Sequence, residues 1–365
     1  MSVEPAQSHG RFDVSAVPDG LPERVGRHFL AGESLDRLCT VELRARGMPR
    51  GYLTRLYAAA RKHYGSPLGL LAANRLQTAF PTGALRVVIA TGAGRPLVQP
   101  KGETDGPIGT ALLARALHVS VGAVPVFVCG EEFSEPVVAA GEAAGFTFGP
   151  LHDAPKRAFG AVLQVVPLPP DQQEAERANS ILEEVQPAAV IAIERPGPNS
   201  RGVTHSTLGT ASPTPVGTIA ALVQRARRQG LLTVAIGDAG NEVGFGAIAE
   251  AVRTIHPLGA QCRCPCGSGV ACVVPADALV VASCSNLGAY NVAACLSLLC
   301  DSPEALVTPD LEARVFEACV RAGAEEATHG RALWCDGVPI EAHSAFIRLI
   351  REVVEVEHRR ADRSW

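Results

Sequence analysis

Six short apolar runs recur along the chain, and they constrain its fold more than any other feature. Each has the length and the flanking glycine, proline or polar residues that are typical of a buried strand. They are Leu85–Thr91, Ala123–Cys129, Ala161–Pro167, Ala188–Ile193, Leu231–Ile236 and Ala278–Ala282. Segments of helical periodicity separate them. This alternation predicts an α/β fold: a three-layer sandwich with a mainly parallel, Rossmann-like sheet and helices on both faces.

The helical segments are recognised by apolar positions that share one face. They are Leu35–Leu43, Tyr52–Tyr64, Pro67–Thr78, Ile108–His118, a helix from Pro136, Asp171–Gln186, Pro215–Gln229, helices ending at Ile255 and Leu299, Pro309–Ala322 and Glu341–His358. Residues 1–30 lack periodicity, so we expect a flexible N-terminal arm followed by one α/β domain over residues 31–365.

The composition excludes several classes of partner. The chain of 365 residues is 47% hydrophobic and carries a net charge of −4, which gives no general reason to expect nucleic acid as a partner. We expect no membrane span, because no uninterrupted apolar run approaches the roughly 18 residues required. Without a signal-peptide pattern, and with 11 cysteines mostly in apolar contexts, the sequence predicts a cytoplasmic protein with reduced thiols.

Polar side chains concentrate in the segments that follow the first, fourth, fifth and sixth predicted strands. Because carboxyl ends of parallel strands share one edge of a sheet, these side chains predict a small-molecule site there. They are Arg95, Lys101, Glu103 and Asp105; Glu194, Arg195, Asn199 and His205; Asp238, Asn241 and Glu242; and Ser285, Asn286 and Tyr290.

Two of these segments resemble helix starts. In Gln99–Thr110, Thr104 or Asp105 can cap the next helix, whose first turn accommodates Pro107. The glycine-rich turn 237–242 suits a ligand carboxylate or phosphate, although capping of the next helix is the alternative for its acidic residues. It is not a Walker A loop, and Gly92-Ala93-Gly94 lacks the third glycine of a dinucleotide site, so we expect no nucleotide cofactor.

The segment Cys262–Cys272 holds four cysteines, three of them in Cys-x-Cys-x-Cys spacing. That spacing is not the pattern of a zinc finger or zinc ribbon, and no second Cys or His pair follows at finger spacing. A loop of free thiols is therefore the favoured interpretation, and a structural metal is the alternative. His205 is interpreted as a surface residue or, alternatively, as a base.

Four ordered blocks resemble one family. They are Gly102-Glu103-Thr104-Asp105-Gly106-Pro107, Glu194-Arg195-Pro196-Gly197, the glycine-rich stretch Gly237–Gly246, and Ser285-Asn286-Leu287-Gly288-Ala289-Tyr290. In order and spacing they resemble the D-glutamate cyclase C-terminal domain family. The resemblance implies a hydro-lyase that converts D-glutamate to 5-oxo-D-proline. Ala239 and Leu287 replace a usual glycine and tryptophan, so a related amino dicarboxylate is an alternative substrate.

The resemblance and the shared sheet edge together assign hypothetical roles. Glu103, Asp105, Glu194 and Asp238 are the candidate catalytic residues, with Glu103 as the base. Asp105, Asp238 and Glu242 would hold a divalent cation, Mg²⁺ or Mn²⁺. The candidate substrate-binding residues are Arg95, Lys101, Thr104, Arg195, Asn241, Ser285, Asn286 and Tyr290.

Two other function classes fit the same residues. One is a non-catalytic binding or regulatory subunit, and the other is a metal-dependent phosphate-ester enzyme. The animal member of the resembled family carries a separate N-terminal module beside this domain. A homo-oligomer or a separately encoded cyclase-like partner is therefore the expected assembly, with a small-molecule carboxylate as the substrate.

Overall fold

The computed structural model describes residues 23–44, 48–81, 85–95, 97–166, 173–212 and 217–361. Its strands are β1 (Arg86–Ala90), β2 (Val124–Gly130), β3 (Thr147–Phe148), β4 (Gly160–Val166), β5 (Ala189–Ile193), β6 (Leu232–Gly237), β7 (Ala278–Val281), β8 (Trp334–Cys335) and β9 (Val338–Pro339). Its α-helices are α1 (Glu23–Cys39), α2 (Tyr52–Tyr64), α3 (Leu68–Ala79), α4 (Pro107–Val121), α5 (Ser134–Ala143), α6 (Glu174–Val185), α7 (Gly217–Arg228), α8 (Ala249–Ile255), α9 (Ser285–Cys300), α10 (Pro309–Arg321) and α11 (Ile340–Ala361).

Strands β1 to β7 form one parallel sheet in the order β3-β4-β2-β1-β5-β6-β7. Alternate residues of a strand point to opposite faces. In β1, Val87 and Ile89 join the core formed with α2, α3, α4 and α9, whereas Val88 and Ala90 join the core formed with α6 and α7. The predicted three-layer sandwich is therefore confirmed.

The order of the strands reverses direction at the centre of the sheet. From β1 the chain proceeds to β2 and β4 on one side, whereas β5, β6 and β7 continue on the other side. In such a sheet a crevice opens at the carboxyl ends of the two central strands, where the connections depart in opposite directions. The segments after β1 and β5 border this crevice.

Helix α1 begins at Glu23, inside the range that the sequence assigned to a flexible arm. The side chain of Asp36 attaches α1 to α3, because its carboxylate accepts hydrogen bonds from the N–H groups of Leu68 at 2.6 Å and Gly69 at 3.1 Å. The predicted helix over residues 35–43 is the last part of α1, which ends at Cys39. The remainder of the expected arm, residues 1–22, lies outside the described residues.

The sequence missed the short edge strand β3 and the antiparallel hairpin of β8 and β9. Asp336 and Gly337 form the hairpin turn with φ angles of 51° and 74°. Asp-Gly is the preferred pair for a two-residue turn of this kind, but strands of two residues are too short for an apolar period. The predicted boundaries at residues 167, 171 and 215 lie outside the described residues.

No helix within the described ranges is both long enough and apolar enough to cross a membrane.

Candidate active site

Three carboxylates converge at the carboxyl edge of the sheet. Asp105, Glu194 and Asp238 each bring one oxygen to within 4.8 Å of the others. The guanidinium of Arg44 bridges the carboxylates of Asp238 and Asp336 and so partly neutralises this acidic group. Three of the four predicted catalytic residues therefore lie together.

The starts of α4 and α9 cap each other beneath these carboxylates. Asp105 accepts hydrogen bonds from the N–H groups of Ser285 and Asn286, each at 2.8 Å. In return, the side-chain oxygen of Asn286 accepts from the N–H groups of Gly106 at 3.0 Å and Gly109 at 2.7 Å. Both helix N-termini, which carry partial positive charge, thus face the acidic cluster.

This arrangement corrects the predicted capping of α4. Neither Thr104 nor Asp105 caps it; α4 follows Gly106, whose φ of 96° requires glycine. Thr104 instead donates from its hydroxyl to the carbonyl of Trp334 at 2.8 Å. The local sequence correctly indicated that the start of α4 is capped. The capping side chain, however, is Asn286, which lies 177 residues after Gly109 in the chain.

Several predicted substrate-binding side chains are engaged elsewhere. The Lys101 ammonium pairs with the exposed Glu135, and the Tyr290 hydroxyl donates to Glu312 at 3.0 Å. Asn286 also donates from its amide to the carbonyl of Thr104 at 3.0 Å. These contacts assign positional roles to Asn286 and Thr104, and they direct Lys101 and Tyr290 away from the carboxylates.

Glu194 adopts a strained backbone conformation at the end of β5, with φ of 50°. A non-glycine residue in this region is uncommon and, next to a crevice, is a recurrent sign of a functional position. Its carboxylate accepts a hydrogen bond from the Ser285 hydroxyl at 2.5 Å. Burial and the charges of Glu242 and Asp105 raise the pKa of Glu194 well above its usual range.

Glu103 also has a perturbed carboxyl group. Burial, followed by the charge of Asp336, raises the pKa of Glu103 to about 8, while Arg44 and Arg95 oppose that rise. Burial likewise raises the pKa of Asp105 well above its usual range, against the opposing N–H bond from Ser285. A carboxyl group with a pKa near neutrality can both accept and donate a proton, as general acid–base catalysis requires.

Glu242 is not part of the carboxylate group within 4.8 Å. Its two oxygens accept hydrogen bonds from the N–H groups of Ala239 at 3.1 Å and Gly240 at 2.8 Å, so it stabilises the glycine-rich turn. Burial raises the pKa of Glu242 to about 7. The set that the structure groups is thus Asp105, Glu194 and Asp238, with Glu194 in the place predicted for Glu242.

Arg195 is a buried cation with unused hydrogen-bonding groups. Only 1% of the residue is exposed, and its Nη1 donates to the carbonyl of Thr91 at 3.4 Å. Among the described residues, no acceptor meets its Nε or Nη2. Burial lowers the pKa of Arg195 to about 9. Buried donors of this kind are costly unless a partner satisfies them, so they favour an anionic ligand.

A pocket connects the surface to this region. It is bordered by Arg44, Arg50, Tyr52 and Ser283, and it reaches Asp238. Asn241, another predicted binding residue, donates to the carbonyl of His205 at 2.9 Å, and its side-chain oxygen finds no donor in the described chain. The lining of this approach combines arginines with carboxylates and apolar side chains.

Sequence reasoning missed Arg44 and Asp336, which lie in a coil before α2 and in the β8–β9 turn. The pair Asp336-Gly337 could have predicted the hairpin turn. Nothing in the local sequence marks Arg44 as a residue of the site. It also missed Cys284 at the start of α9. Burial opposes ionisation there, but hydrogen bonding with Cys335 and the charge of His343 lower the pKa of Cys284 to about 5.

The structure also corrects the interpretation of His205. The residue is 1% exposed, and its ring lies against the sulfur atoms of Cys264 and Cys266. It is therefore neither a surface residue nor a base at the carboxylates.

The comparison with known families agrees with this geometry. A family model described as "D-glutamate cyclase-like, C-terminal" matches residues 54–351. The chain belongs to this D-glutamate cyclase-like family. The match begins within α2 and ends within α11, so it includes Asp105, Glu194 and Asp238. No curated protein matches the chain.

Proposed function

We propose that this member of the D-glutamate cyclase-like family converts D-glutamate, or a related amino dicarboxylate, to 5-oxo-D-proline and water. The observation that carries the proposal is the convergence of Asp105, Glu194 and Asp238. The charge of Glu103 acts on Glu194 and on the incompletely hydrogen-bonded Arg195 beside them. This convergence occurs at the reversal point of the sheet, where ligands of such folds bind.

The substrate carries two carboxylates and one ammonium group. The Nε and Nη2 groups of Arg195, which meet no acceptor among the described residues, can donate hydrogen bonds to the α-carboxylate. Arg95 lies close enough to Glu103 to lower the pKa of Glu103. Arg44 and Arg50 border the pocket through which a substrate with two carboxylates would arrive. Guanidinium groups suit this task because they bind carboxylates in a bidentate manner.

Ring closure joins the amine nitrogen to the side-chain carboxyl carbon and breaks one C–O bond. The ammonium loses two protons overall, and the departing oxygen gains both to leave as water. Glu103 is assigned the transfer of these protons, because its carboxyl group is poised between its two protonation states near neutrality. The N-termini of α4 and α9 stabilise negative charge on the carbonyl oxygen during attack.

A divalent cation fits the donor set of Asp105, Glu194 and Asp238, because carboxylate oxygens are the ligands that Mg²⁺ and Mn²⁺ prefer. When bound, such an ion would supply Lewis-acid polarisation of the reacting carboxyl group. Arg44 already pairs with Asp238, so it would share that carboxylate with the ion or release it. A homo-oligomer or a separately encoded partner remains part of the proposal.

NMR of the purified chain with D-glutamate, L-glutamate or 5-oxo-D-proline, with and without Mg²⁺, tests this function. We expect Mg²⁺-dependent interconversion of the two D-compounds and none of L-glutamate. Line broadening of D-glutamate without product would indicate a binding subunit, and phosphate release from a phosphate ester would indicate the alternative enzyme class. Either result, without interconversion, contradicts the proposal.

A further inference from the structure

A second group of metal-ligand side chains lies outside the carboxylate crevice. It joins two segments, the β5 loop (residues 194–212) and the thiol loop (residues 256–277). We define the thiol cluster as His205 from the β5 loop and Cys262, Cys264 and Cys266 from the thiol loop. One donor atom from each of the four lies within 4.8 Å of all the others.

The separations within the thiol cluster are those of a small coordination shell. The sulfur of Cys262 lies 3.5 Å from that of Cys264 and 3.3 Å from that of Cys266. His205 Nε2 lies 3.1 Å from the sulfur of Cys264 and 3.5 Å from that of Cys266. The thiols are not disulfide-bonded, since a disulfide requires about 2.05 Å.

Tetrahedral zinc has Zn–S distances of about 2.3 Å and Zn–N distances of about 2.0–2.1 Å, so its ligand atoms are about 3.5–3.8 Å apart. Four of the six separations within the thiol cluster are 3.1–3.5 Å, and each needs to lengthen by about 0.5 Å or less to match this geometry. We propose that His205, Cys262, Cys264 and Cys266 bind one zinc ion in a structural Cys₃His site.

The surroundings of the thiol cluster support this assignment. His205 Nδ1 lies 3.0 Å from the carbonyl of Val203, which selects the tautomer that leaves Nε2 free to ligate. The side-chain amide of Asn199 donates to the sulfur of Cys266 at 3.4 Å and to the carbonyl of Gly269 at 2.7 Å. Such outer hydrogen bonds orient the ligands of metal sites.

Four protein ligands complete a tetrahedron and leave no position for a substrate, so the role is structural. Cys264 and Cys266 are partly exposed, which provides a path for the ion. The site fastens the thiol loop to the β5 loop. It also fixes the carbonyl of His205, which accepts the amide of Asn241 beside the glycine-rich turn.

The local spacing of the cysteines conceals this site. The fourth ligand lies 59 residues before Cys264, and the connection contains α7, β6 and α8. Only the adjacency of the β5 loop and the thiol loop brings it into reach, for example through the hydrogen bond from Arg263 N–H to the carbonyl of Gly209 at 2.9 Å.

Metal analysis of the full chain, purified without chelator, tests the site. We expect about one zinc per chain in the wild type, and a dissociation constant tighter than about 0.1 µM. The metal-free chain reloaded with Co²⁺ should show thiolate-to-cobalt charge-transfer absorption and intense tetrahedral d–d bands. Asp105, Glu194 and Asp238 carry no sulfur and give no such band. The buried group Cys284, Cys335 and His343 could give one, so loss of the band in a thiol-cluster variant is what assigns it.

The double variant Cys264→Ser/Cys266→Ser should lose the cobalt spectrum and bind zinc more than about 10-fold more weakly. Cys300→Ser, which alters a partly exposed thiol outside the thiol cluster, should behave as the wild type. A wild-type chain without the thiolate band, or a band retained in the double variant, overturns the proposal. So does a disulfide within the thiol cluster after purification under reducing conditions. If the double variant fails to fold, Cys264→Ser, which alters a partly exposed thiol, is measured in its place and should show a weakened thiolate band.

Discussion

Two clusters of donor atoms occupy the same edge of one sheet, yet they differ in almost every physical respect. The carboxylate crevice offers hard oxygen ligands, raised carboxyl pKa values and a strained Glu194. The thiol cluster offers sulfur and imidazole donors, of which four of the six pairs lie 3.1–3.5 Å apart. An amide and a carbonyl group support them. The first is electrostatically unfavourable without a ligand, and the second is a nearly complete coordination shell.

This difference suggests a catalytic role for the crevice and a structural role for the thiol cluster. A site that performs chemistry must retain open positions and groups whose protonation can change, and it often costs stability. A structural site saturates its metal with protein ligands and adds stability. We therefore expect changes in the crevice to abolish activity without removing zinc, and changes in the thiol cluster to remove zinc and lower stability.

The largest expected effect is on turnover. Glu103→Gln should reduce the rate of D-glutamate conversion by about 10²–10⁴-fold, because the proton-transferring group is lost. Zinc content should stay at the wild-type value. NMR of product formation measures the loss of turnover, and mass spectrometry of metal content measures the retained zinc. Glu135→Gln, an exposed carboxylate paired with Lys101, is the matched control. Equal loss of activity in both variants would contradict the assignment.

The second effect concerns stability. Bound zinc stabilises the folded state, so its loss in Cys264→Ser/Cys266→Ser should lower the melting temperature by about 5 °C. Cys300→Ser should melt as the wild type does. Differential scanning calorimetry with zinc-loaded protein measures the shift. An unchanged melting temperature in the double variant would mean that the two loops are held together without the metal.

A third prediction concerns the packing beneath the crevice. A Cβ atom on Gly109 would lie 2.8 Å from the Cα atom of Asn286 and 3.0 Å from the Cβ atom of Ala289. Helix propensity alone favours alanine at this position by about 1 kcal/mol. We nevertheless expect Gly109→Ala to lower the free energy of unfolding by about 1–3 kcal/mol, because α4 and α9 must separate. Urea unfolding measures whether the variant is destabilised or stabilised. A stabilised variant would contradict the close approach of α4 to α9 at Gly109.

The smallest effect is acid sensitivity at the base of the thiol loop. Burial lowers the pKa of His256 to about 4, and its Nδ1 accepts the N–H group of Leu258 at 2.9 Å. The unfolded chain takes up this proton near pH 6.5, whereas the folded chain does not. The contribution of His256 to stability should therefore fall as the pH decreases from 6.5 to about 4, by about 2 kcal/mol between pH 7 and pH 5.

His256→Gln retains a hydrogen-bond acceptor but does not titrate. Its free energy of unfolding should decline less steeply with acid than that of the wild type, by the amount assigned to His256. Urea unfolding of both chains at a series of pH values measures the difference. Identical pH profiles would show that His256 is not the group responsible.

Much of the fold could be predicted because its signals are local. The six apolar runs correspond to β1, β2, β4, β5, β6 and β7, since buried parallel strands are short, continuous and aliphatic. The edge of the sheet that carries the crevice followed from the positions of Glu103, Glu194 and Asp238 after strands. Strands β3, β8 and β9 were missed because two residues are too few to establish a period.

The contacts within the site were less predictable because they join distant segments. Asp105 caps a helix that begins 180 residues later, not the one that follows it. Arg44 is unremarkable in sequence, and only the fold brings it between Asp238 and Asp336. Cysteine spacing alone does not reveal the thiol cluster, because its histidine comes from another loop. Local pattern identifies candidate groups, whereas tertiary structure decides their partners.

The separation of the two sites is tested most directly by titration of Mn²⁺, with the free ion followed by electron paramagnetic resonance. The wild type and Cys264→Ser/Cys266→Ser should bind Mn²⁺ equally, because oxygen donors of the crevice hold it. Asp238→Asn should bind it at least about 10-fold more weakly while keeping its zinc. Unchanged Mn²⁺ binding in Asp238→Asn, or its loss in the thiol variant, would contradict the account.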